Sequence, residues 1–186
     1  MASVVFMRGV NVGGHKAFRP SVLAGQLAAL RVVSIGAAGT FIVRAHADAA
    51  RIRREFARRL PFEGQLIVCR ARDVIDLVEA DPFASDALPT ADGQFISVVE
   101  RRPRTLPRLP VCVPDGRSWQ VWVLGIHGRF VATLLRKSSR SLVYPNEVVE
   151  KLLGVAATTR GWSTILRLRQ ALETHSSRDR SGGEGG

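Results

Sequence analysis

The residues with the clearest potential for chemistry lie near the N-terminus, in the glycine-rich stretch 7–16, which reads MRGVNVGGHK. Its three glycines allow a ligand to approach bare backbone N–H groups, and its basic side chains supply positive charge. The stretch is therefore predicted to bind a small anionic molecule that bears a phosphate or a carboxylate. The predicted contacts are made by Arg8, Asn11, Gly13, Gly14 and Lys16, with Arg19 as a further cation nearby.

Simpler interpretations of the same stretch stay open. It can be a tight turn that lets the following helix pack on the sheet, and Asn11 can bond to the backbone of its own turn. The spacing is not that of a P-loop, which needs Lys followed by Ser or Thr after the last glycine, nor that of a dinucleotide-binding fingerprint. No cofactor is therefore predicted.

A candidate for proton transfer lies in this stretch. His15 is the one histidine beside the glycines, and the unperturbed imidazole pKa of about 6.5 suits a general acid or base. An ordinary exposed loop residue is the alternative. The sequence offers no pair of carboxylates, no Ser-His-Asp arrangement and no metal-binding cluster around it, so no metal and no particular reaction are predicted.

The charge of the chain suggests a second class of partner, nucleic acid. The net charge is +11, and 24 of the 27 basic residues are arginines. Helical spacing places three arginines on one face of the second helix: Arg51, Arg54 and Arg58. This face is either simply solvated or binds along the phosphates of DNA or RNA. The strands of the first half contain only Phe6 and Phe41 as aromatics, so no platform for stacking bases is predicted. A dimerisation or scaffold surface is a third alternative.

The first half of the chain, 1–80, has the element order of a ferredoxin-like unit, strand-helix-strand-strand-helix-strand. Pro20 is placed to begin the first helix, whose N-terminus would point its positive end at the glycine-rich stretch, and Asp48 is placed to cap the second. The predicted strands are Ser3–Met7, Val32–Ile35, Thr40–Arg44 and Gln65–Arg70, and the predicted helices are Pro20–Leu30, Asp48 to about Leu60 and Arg72–Glu79.

The second half, 81–175, alternates strands and helices in a similar but irregular way and is predicted to be a second ferredoxin-like half. Four prolines between 103 and 114 prevent a continuous helix there. The predicted elements are strands Phe95–Glu100, Trp119–Ile126 and Arg129–Leu135, and helices Asn146–Leu153 and Ser163 to about Leu172. The fold class is therefore α+β, with two ferredoxin-like halves (α/β plaits) packed as one protein.

The C-terminal region adds one site residue and a tail. Thr158 and Thr159 read as a helix cap and Arg160 as an exposed charge, and Arg160 would join the anion site if the last helix starts near the glycine-rich stretch. Residues 176–186 contain no apolar side chain, so they are predicted to form a disordered tail.

The apolar runs, the N-terminus and the two cysteines of the chain predict its cellular location and redox state. No apolar run reaches the roughly 18 to 20 residues that span a bilayer, and the N-terminus does not have the pattern of a signal peptide. A cytoplasmic protein without a membrane partner is therefore expected. Cys69 and Cys112 each lie in an apolar run and are interpreted as buried free thiols, with a nucleophile or a disulfide as the alternatives.

Two stretches of the chain resemble the signatures of a bacterial family, domain of unknown function 1697. The first is Arg8–Gly14 with Lys16, and the second is Leu153–Val155 followed by Thr158–Thr164. The resemblance covers the chain from about Ser3 to Leu172 and implies two ferredoxin-like halves in one compact protein, without an established biochemical activity.

The chain departs from the family pattern at three positions. It has Ala38-Gly39-Thr40 where the family usually has Ser-Gly-Asn, and Arg160-Gly161-Trp162 where the family usually has Arg-Asn-Trp. Three polar side chains are thereby replaced. If the family shares a chemistry that needs them, the resemblance implies that this member has lost or changed it.

Overall fold

The computed structural model describes residues 2–10, 19–137 and 143–181, with the backbone alone for 175–181. They divide into two units. The first unit consists of Met1–Val78 together with Ser163–Gly186, and the second unit is the intervening chain, Glu79–Trp162.

The first unit contains a four-stranded antiparallel sheet with the predicted ferredoxin-like topology. The strands take the order β2-β3-β1-β4, so the first strand is central, between the third and the fourth. This order is that of the split βαβ unit, and the prediction is confirmed. The elements are β1 Ser3–Arg8, α1 Pro20–Gln26, β2 Val32–Ile35, β3 Thr40–Val43, α2 Ala49–Ala57 and β4 Gln65–Arg70.

The ends of the helices follow local signals. Pro20 occupies the first position of α1, and the Asp48 carboxylate accepts a hydrogen bond of 2.7 Å from the Arg51 backbone N–H at the start of α2. α1 ends at Gln26, earlier than the predicted Leu30, and a 3₁₀ turn follows at Ala28–Leu30. Gly25 weakens the helix by about 1 kcal/mol relative to Ala, and the chain must turn there into β2.

One face of the first sheet is packed against the two helices. Val5 and Met7 of β1 meet Phe41 of β3, and α2 adds Phe56, whose ring stands edge-on to Phe41 with centroids 5.4 Å apart. The other face is also buried, and Phe6 there is fully inaccessible. Phe6 and Phe41, the two aromatics of these strands, are therefore both inaccessible to a base.

The second unit repeats this topology with one difference: a strand takes the place of the first helix. After α3 (Ala71–Ala80) come β5 Gly93–Val99, β6 Val111–Val113, β7 Val121–His127, β8 Phe130–Leu135, α4 Pro145–Leu153 and β9 Ala157–Gly161. The sheet order is β6-β7-β8-β5-β9. Without β6, the remaining four strands have the same order as those of the first sheet. Residues 100–120, where the first crossover helix would lie, are all described and contain β6 and no helix, because their prolines lack the N–H that a helix needs.

Two elements near the C-terminus differ from the prediction. β9 was not predicted, because Thr158 and Thr159 resemble a helix cap; they pair instead with Val98 and Ser97 of β5. The last helix, α5, covers Trp162–Ser181 and so extends beyond the predicted end near Leu172 into the first residues of the predicted tail. Residues 182–186 lie outside the described part of the chain.

The core of the second unit is rich in valine. Val121, Val123 and Val131 of the sheet pack with Val149 and Leu153 of α4. Both cysteines are free thiols, Cys69 buried and Cys112 half-buried rather than buried as predicted. None of the described helices combines the length and the apolar composition needed to cross a membrane.

Candidate anion-binding site

The described part of the glycine-rich stretch begins at the end of β1. Arg8 is half-buried, and its Nη1 donates to Gln65 Oε1 of β4 across a long 3.5 Å. Gly9 follows with φ +67°, the left-handed region that glycine enters without strain. Asn11, Gly13, Gly14, His15 and Lys16 lie outside the described residues, so their part in the site stays a prediction.

The β2–β3 turn holds the start of this stretch in place. The Met7 N–H donates to the Gly39 carbonyl across 2.8 Å. A Cβ at Gly39 would lie 2.8 Å from Val10 Cγ2 and 2.9 Å from Met7 Cβ. The turn can therefore approach β1 this closely only because residue 39 has no side chain.

A cleft of about 320 Å³ lies beside α1, near the C-terminal end of α2. It is lined by Arg19, Val22, Leu23, Gln26, Arg59 and Pro61. Arg19 and Arg59 provide two guanidinium groups in one cleft, and Val22, 53% exposed, belongs to its apolar lining. Such a cleft can bind an anion by charge-assisted hydrogen bonds while it covers an apolar part of the same ligand.

Glu55 orients one of the two guanidinium groups. Arg59 Nη1 donates to Glu55 Oε2 across 2.7 Å and to the Glu55 carbonyl across 3.1 Å. The hydrogen bond from Arg59 lowers the pKa of the Glu55 carboxyl, so this carboxylate stays ionised at neutral pH. Within the described residues, Arg59 Nε and Nη2 and the Arg19 side chain make no hydrogen bond, and these donors are available to a ligand.

The N-terminus of α1 contributes less than predicted. Pro20 has no N–H, and the N–H groups of Val22 and Leu23 donate to the Arg19 carbonyl at 3.1 and 3.2 Å. The helix also has only seven residues. The N–H groups of Val22 and Leu23 are therefore not free to bind an anion. The positive charge at this end of the helix must come from side chains.

Arg160 is not the exposed charge that the sequence suggested. It lies in β9 opposite Ile96 of β5 and is 6% exposed. Its Nη1 donates to Thr158 Oγ1 at 2.9 Å and to the Thr159 carbonyl at 2.8 Å. Burial lowers the pKa of the guanidinium to about 10, which still leaves it protonated at neutral pH. The interpretation as a helix cap with an exposed arginine is wrong; the involvement of Arg160 in anion binding stays a prediction.

The arginine face of α2 is exposed, as predicted. Arg58 forms an ion pair of 3.2 Å with Glu55 and is 70% exposed. Arg51 and Arg54 are exposed and, within the described part of the chain, form no ion pair. This face has the charge and access that a phosphate backbone requires, while its role in nucleic-acid binding stays a prediction.

The first 105 residues identify the relatives of the chain. They match the sequence model of a family described as "Protein of unknown function (DUF1697)", over residues 1–105. The chain belongs to this family. Comparison with curated protein sequences finds no match.

The fold of this DUF1697 protein is similar to that of a solved structure. The conserved bacterial protein SP0830 from Streptococcus pneumoniae aligns with a TM-score of 0.56 and 15% sequence identity. The alignment covers 91% of this chain and 97% of that chain. At this identity the likeness is one of fold alone.

The three positions that the resemblance marks as departures, Ala38, Thr40 and Gly161, have different surroundings. Ala38 is exposed in the β2–β3 turn, whereas Thr40 is fully buried in β3 opposite Phe6. Gly161 ends β9 and pairs with Phe95. The second stretch of the resemblance runs from Leu153, the last residue of α4, through β9 into the start of α5, beyond the residues that the family model matches.

Replacing Gly39 by Ala is expected to lower the free energy of unfolding by about 2 kcal/mol. A positive φ costs a non-glycine residue about 1 kcal/mol, and the overlap with Val10 and Met7 adds a similar amount. Urea unfolding followed by circular dichroism measures the loss. Gly36→Ala is the matched control: its φ of +67° is close to the +68° of Gly39, but its Cβ would meet nothing nearer than Arg167 Nη2 at 3.7 Å. Equal losses in the two variants would show that the close approach to β1 costs nothing.

Proposed function

We propose that this DUF1697 protein binds a small organic anion, which bears a phosphate or a carboxylate group, at the glycine-rich stretch and the cleft beside it. The cleft that contains both Arg19 and Arg59 is the observation that carries the proposal. Arg19 directly follows residues 11–18, so the cleft adjoins the glycines along the chain. Arg8 lies at the other end of the same stretch.

The chemistry of the lining supports a ligand with a charged and an apolar end. Charge-assisted hydrogen bonds contribute about 1.5 to 3 kcal/mol each, so two or three of them correspond to millimolar to micromolar affinity. The Glu55 carboxylate neutralises part of the charge of Arg59, which favours a ligand that also covers Val22, Leu23 and Pro61. Binding rather than turnover is proposed; His15 is the residue to test if a bound ligand is converted.

The proposal is tested by thermal shift and calorimetry with inorganic phosphate, phenyl phosphate, benzoate, nucleotides and a short single-stranded oligonucleotide. We expect a small anion to raise the melting temperature and to bind in salt of both about 50 and about 300 mM, because a cleft screens its charges from salt. The double variant Arg19→Ala/Arg59→Ala is expected to weaken binding at least about tenfold, and Arg8→Ala is expected to abolish the thermal shift while the circular dichroism spectrum is kept.

The matched control is Arg51→Ala/Arg54→Ala, which removes the same charge from exposed positions of α2. It should leave binding of the small anion unchanged. Equal losses in both double variants, or no loss in either, would contradict the site.

A second candidate function, non-specific nucleic-acid binding, is favoured by the exposed arginines of α2. It predicts that the oligonucleotide alone binds, that affinity falls steeply with salt, and that reversal of charge at Arg51, Arg54 and Arg58 together removes it. Indifference of oligonucleotide binding to both salt and the triple reversal would eliminate this function.

A further inference from the structure

A second cationic cleft lies within the second unit and shares no lining residue with the cleft that contains Arg19 and Arg59. Residues 101–110 read RRPRTLPRLP, with four arginines and three prolines, and connect β5 to β6. Part of this segment and the C-terminal end of α4 enclose about 280 Å³. The lining residues are Arg101, Arg104, Thr105, Pro107, Leu152, Leu153 and Gly154.

The two arginines of this cleft have no internal partner in the described part of the chain. Arg101 and Arg104 are exposed and make no hydrogen bond or ion pair with the described residues. Two other arginines of the same unit do have partners: Arg129 Nη1 donates to the Glu100 carbonyl at 3.0 Å, and the Arg136 guanidinium lies 4.1 Å from the Trp119 ring centroid. Two like charges on one cleft repel each other, and a bound anion would relieve that repulsion.

The remaining lining determines what kind of anion fits. Thr105 offers a hydroxyl, whereas the Gly154 N–H is already bonded to the Glu150 carbonyl at 2.8 Å. Pro107, Leu152 and Leu153 form an apolar wall. The volume is just below the roughly 300 to 1,000 Å³ of typical small-molecule sites, so the cleft suits a compact ligand rather than a polymer.

We propose that this cleft is a second anion site, which binds a compact organic phosphate or carboxylate. The anionic group contacts Arg101 and Arg104, with Thr105 as an additional donor, and the apolar group lies against Pro107 and Leu152. This site is independent of the proposed function, since it shares no residue with the cleft beside the glycine-rich stretch.

The test uses the full chain carrying Arg8→Ala, Arg19→Ala and Arg59→Ala, so that the first site does not contribute. Phenyl phosphate, benzoate and inorganic phosphate are titrated by calorimetry in about 150 mM salt. We expect phenyl phosphate or benzoate to bind, inorganic phosphate to bind at least about tenfold more weakly, and Arg101→Ala/Arg104→Ala to weaken binding at least about tenfold. The result with phenyl phosphate against benzoate distinguishes a phosphate from a carboxylate ligand.

Arg108→Ala/Arg117→Ala is the matched control, because it removes two exposed arginines of the same unit that do not line the cleft. It should leave the affinity within about twofold of the parent. The proposal is overturned if no probe binds, if both double variants lose equally, or if inorganic phosphate binds as well as phenyl phosphate. It is also overturned if Arg101→Ala/Arg104→Ala changes only stability, which would mean that the arginines merely offset the negative C-terminal end of α4.

Discussion

Replacing Phe56 by Ala is expected to lower the free energy of unfolding by about 3 to 5 kcal/mol. The ring is fully buried on α2 and stands edge-on to Phe41, at an interplanar angle of 74°. Truncation removes its transfer free energy and this contact and leaves a cavity among fully buried neighbours such as Ile52. Urea unfolding followed by circular dichroism measures the loss.

The control for Phe56 is an exposed apolar side chain. Leu106 is 64% exposed, and Leu106→Ala is expected to change stability by no more than about 0.5 kcal/mol. A loss of less than about 1.5 kcal/mol for Phe56→Ala would mean that α2 does not pack against the sheet through this ring.

Arg160→Met is expected to give a stability difference from the wild type that depends on pH. Burial lowers the pKa of Arg160 to about 10 in the folded protein, well below that of an arginine in the unfolded chain. Below pH 10 the folded protein therefore carries a charge at a cost of about 3 kcal/mol relative to water. Met fills a similar volume without this charge, so the variant should be about 1 to 3 kcal/mol more stable at pH 7, even after loss of the interactions of the guanidinium, which include the hydrogen bonds to Thr158 and Thr159.

The sign of the pH dependence is fixed by linkage. As the pH rises above 10, the folded wild type releases the Arg160 proton while the unfolded chain retains it, so the wild type gains stability relative to Arg160→Met. Urea unfolding should give the same difference in free energy of unfolding between Arg160→Met and the wild type at about pH 7 and about pH 9, and a smaller difference at about pH 10.5. Arg117→Met, at an exposed position, should show no such trend. A variant destabilised equally at every pH would mean that the charge of Arg160 is well compensated in the folded protein.

The first unit could be predicted from sequence because its signals are local. Pro20 and Asp48 mark helix starts, and the β-branched runs mark strands whose bounds agree within about two residues. β9 could not be predicted in this way. Its Thr158 and Thr159 are as suitable for a cap as for a strand, and only the pairing with β5, about 60 residues earlier, decides between them.

The candidate site was predictable in part for the same reason. Arg8 and the exposed face with Arg51 and Arg54 follow from a strand end and from helical spacing. Arg19 and Arg59 line one cleft because of the way α1 and the end of α2 are placed over the sheet. No local sequence pattern predicts that placement. Likewise, the burial of Arg160 follows from the pairing of a strand that sequence reasoning did not find.

The division of the chain into units has a consequence for how the protein is made. The chain leaves the first unit after Val78 and returns to it at Ser163, so the second unit is an insertion into the first. Synthesis from the N-terminus therefore completes the second unit before the first, whose last helix emerges at the end. A chain that stops after Trp162 would contain every residue of the second unit and would lack part of the first, although the missing residues follow the second unit in sequence.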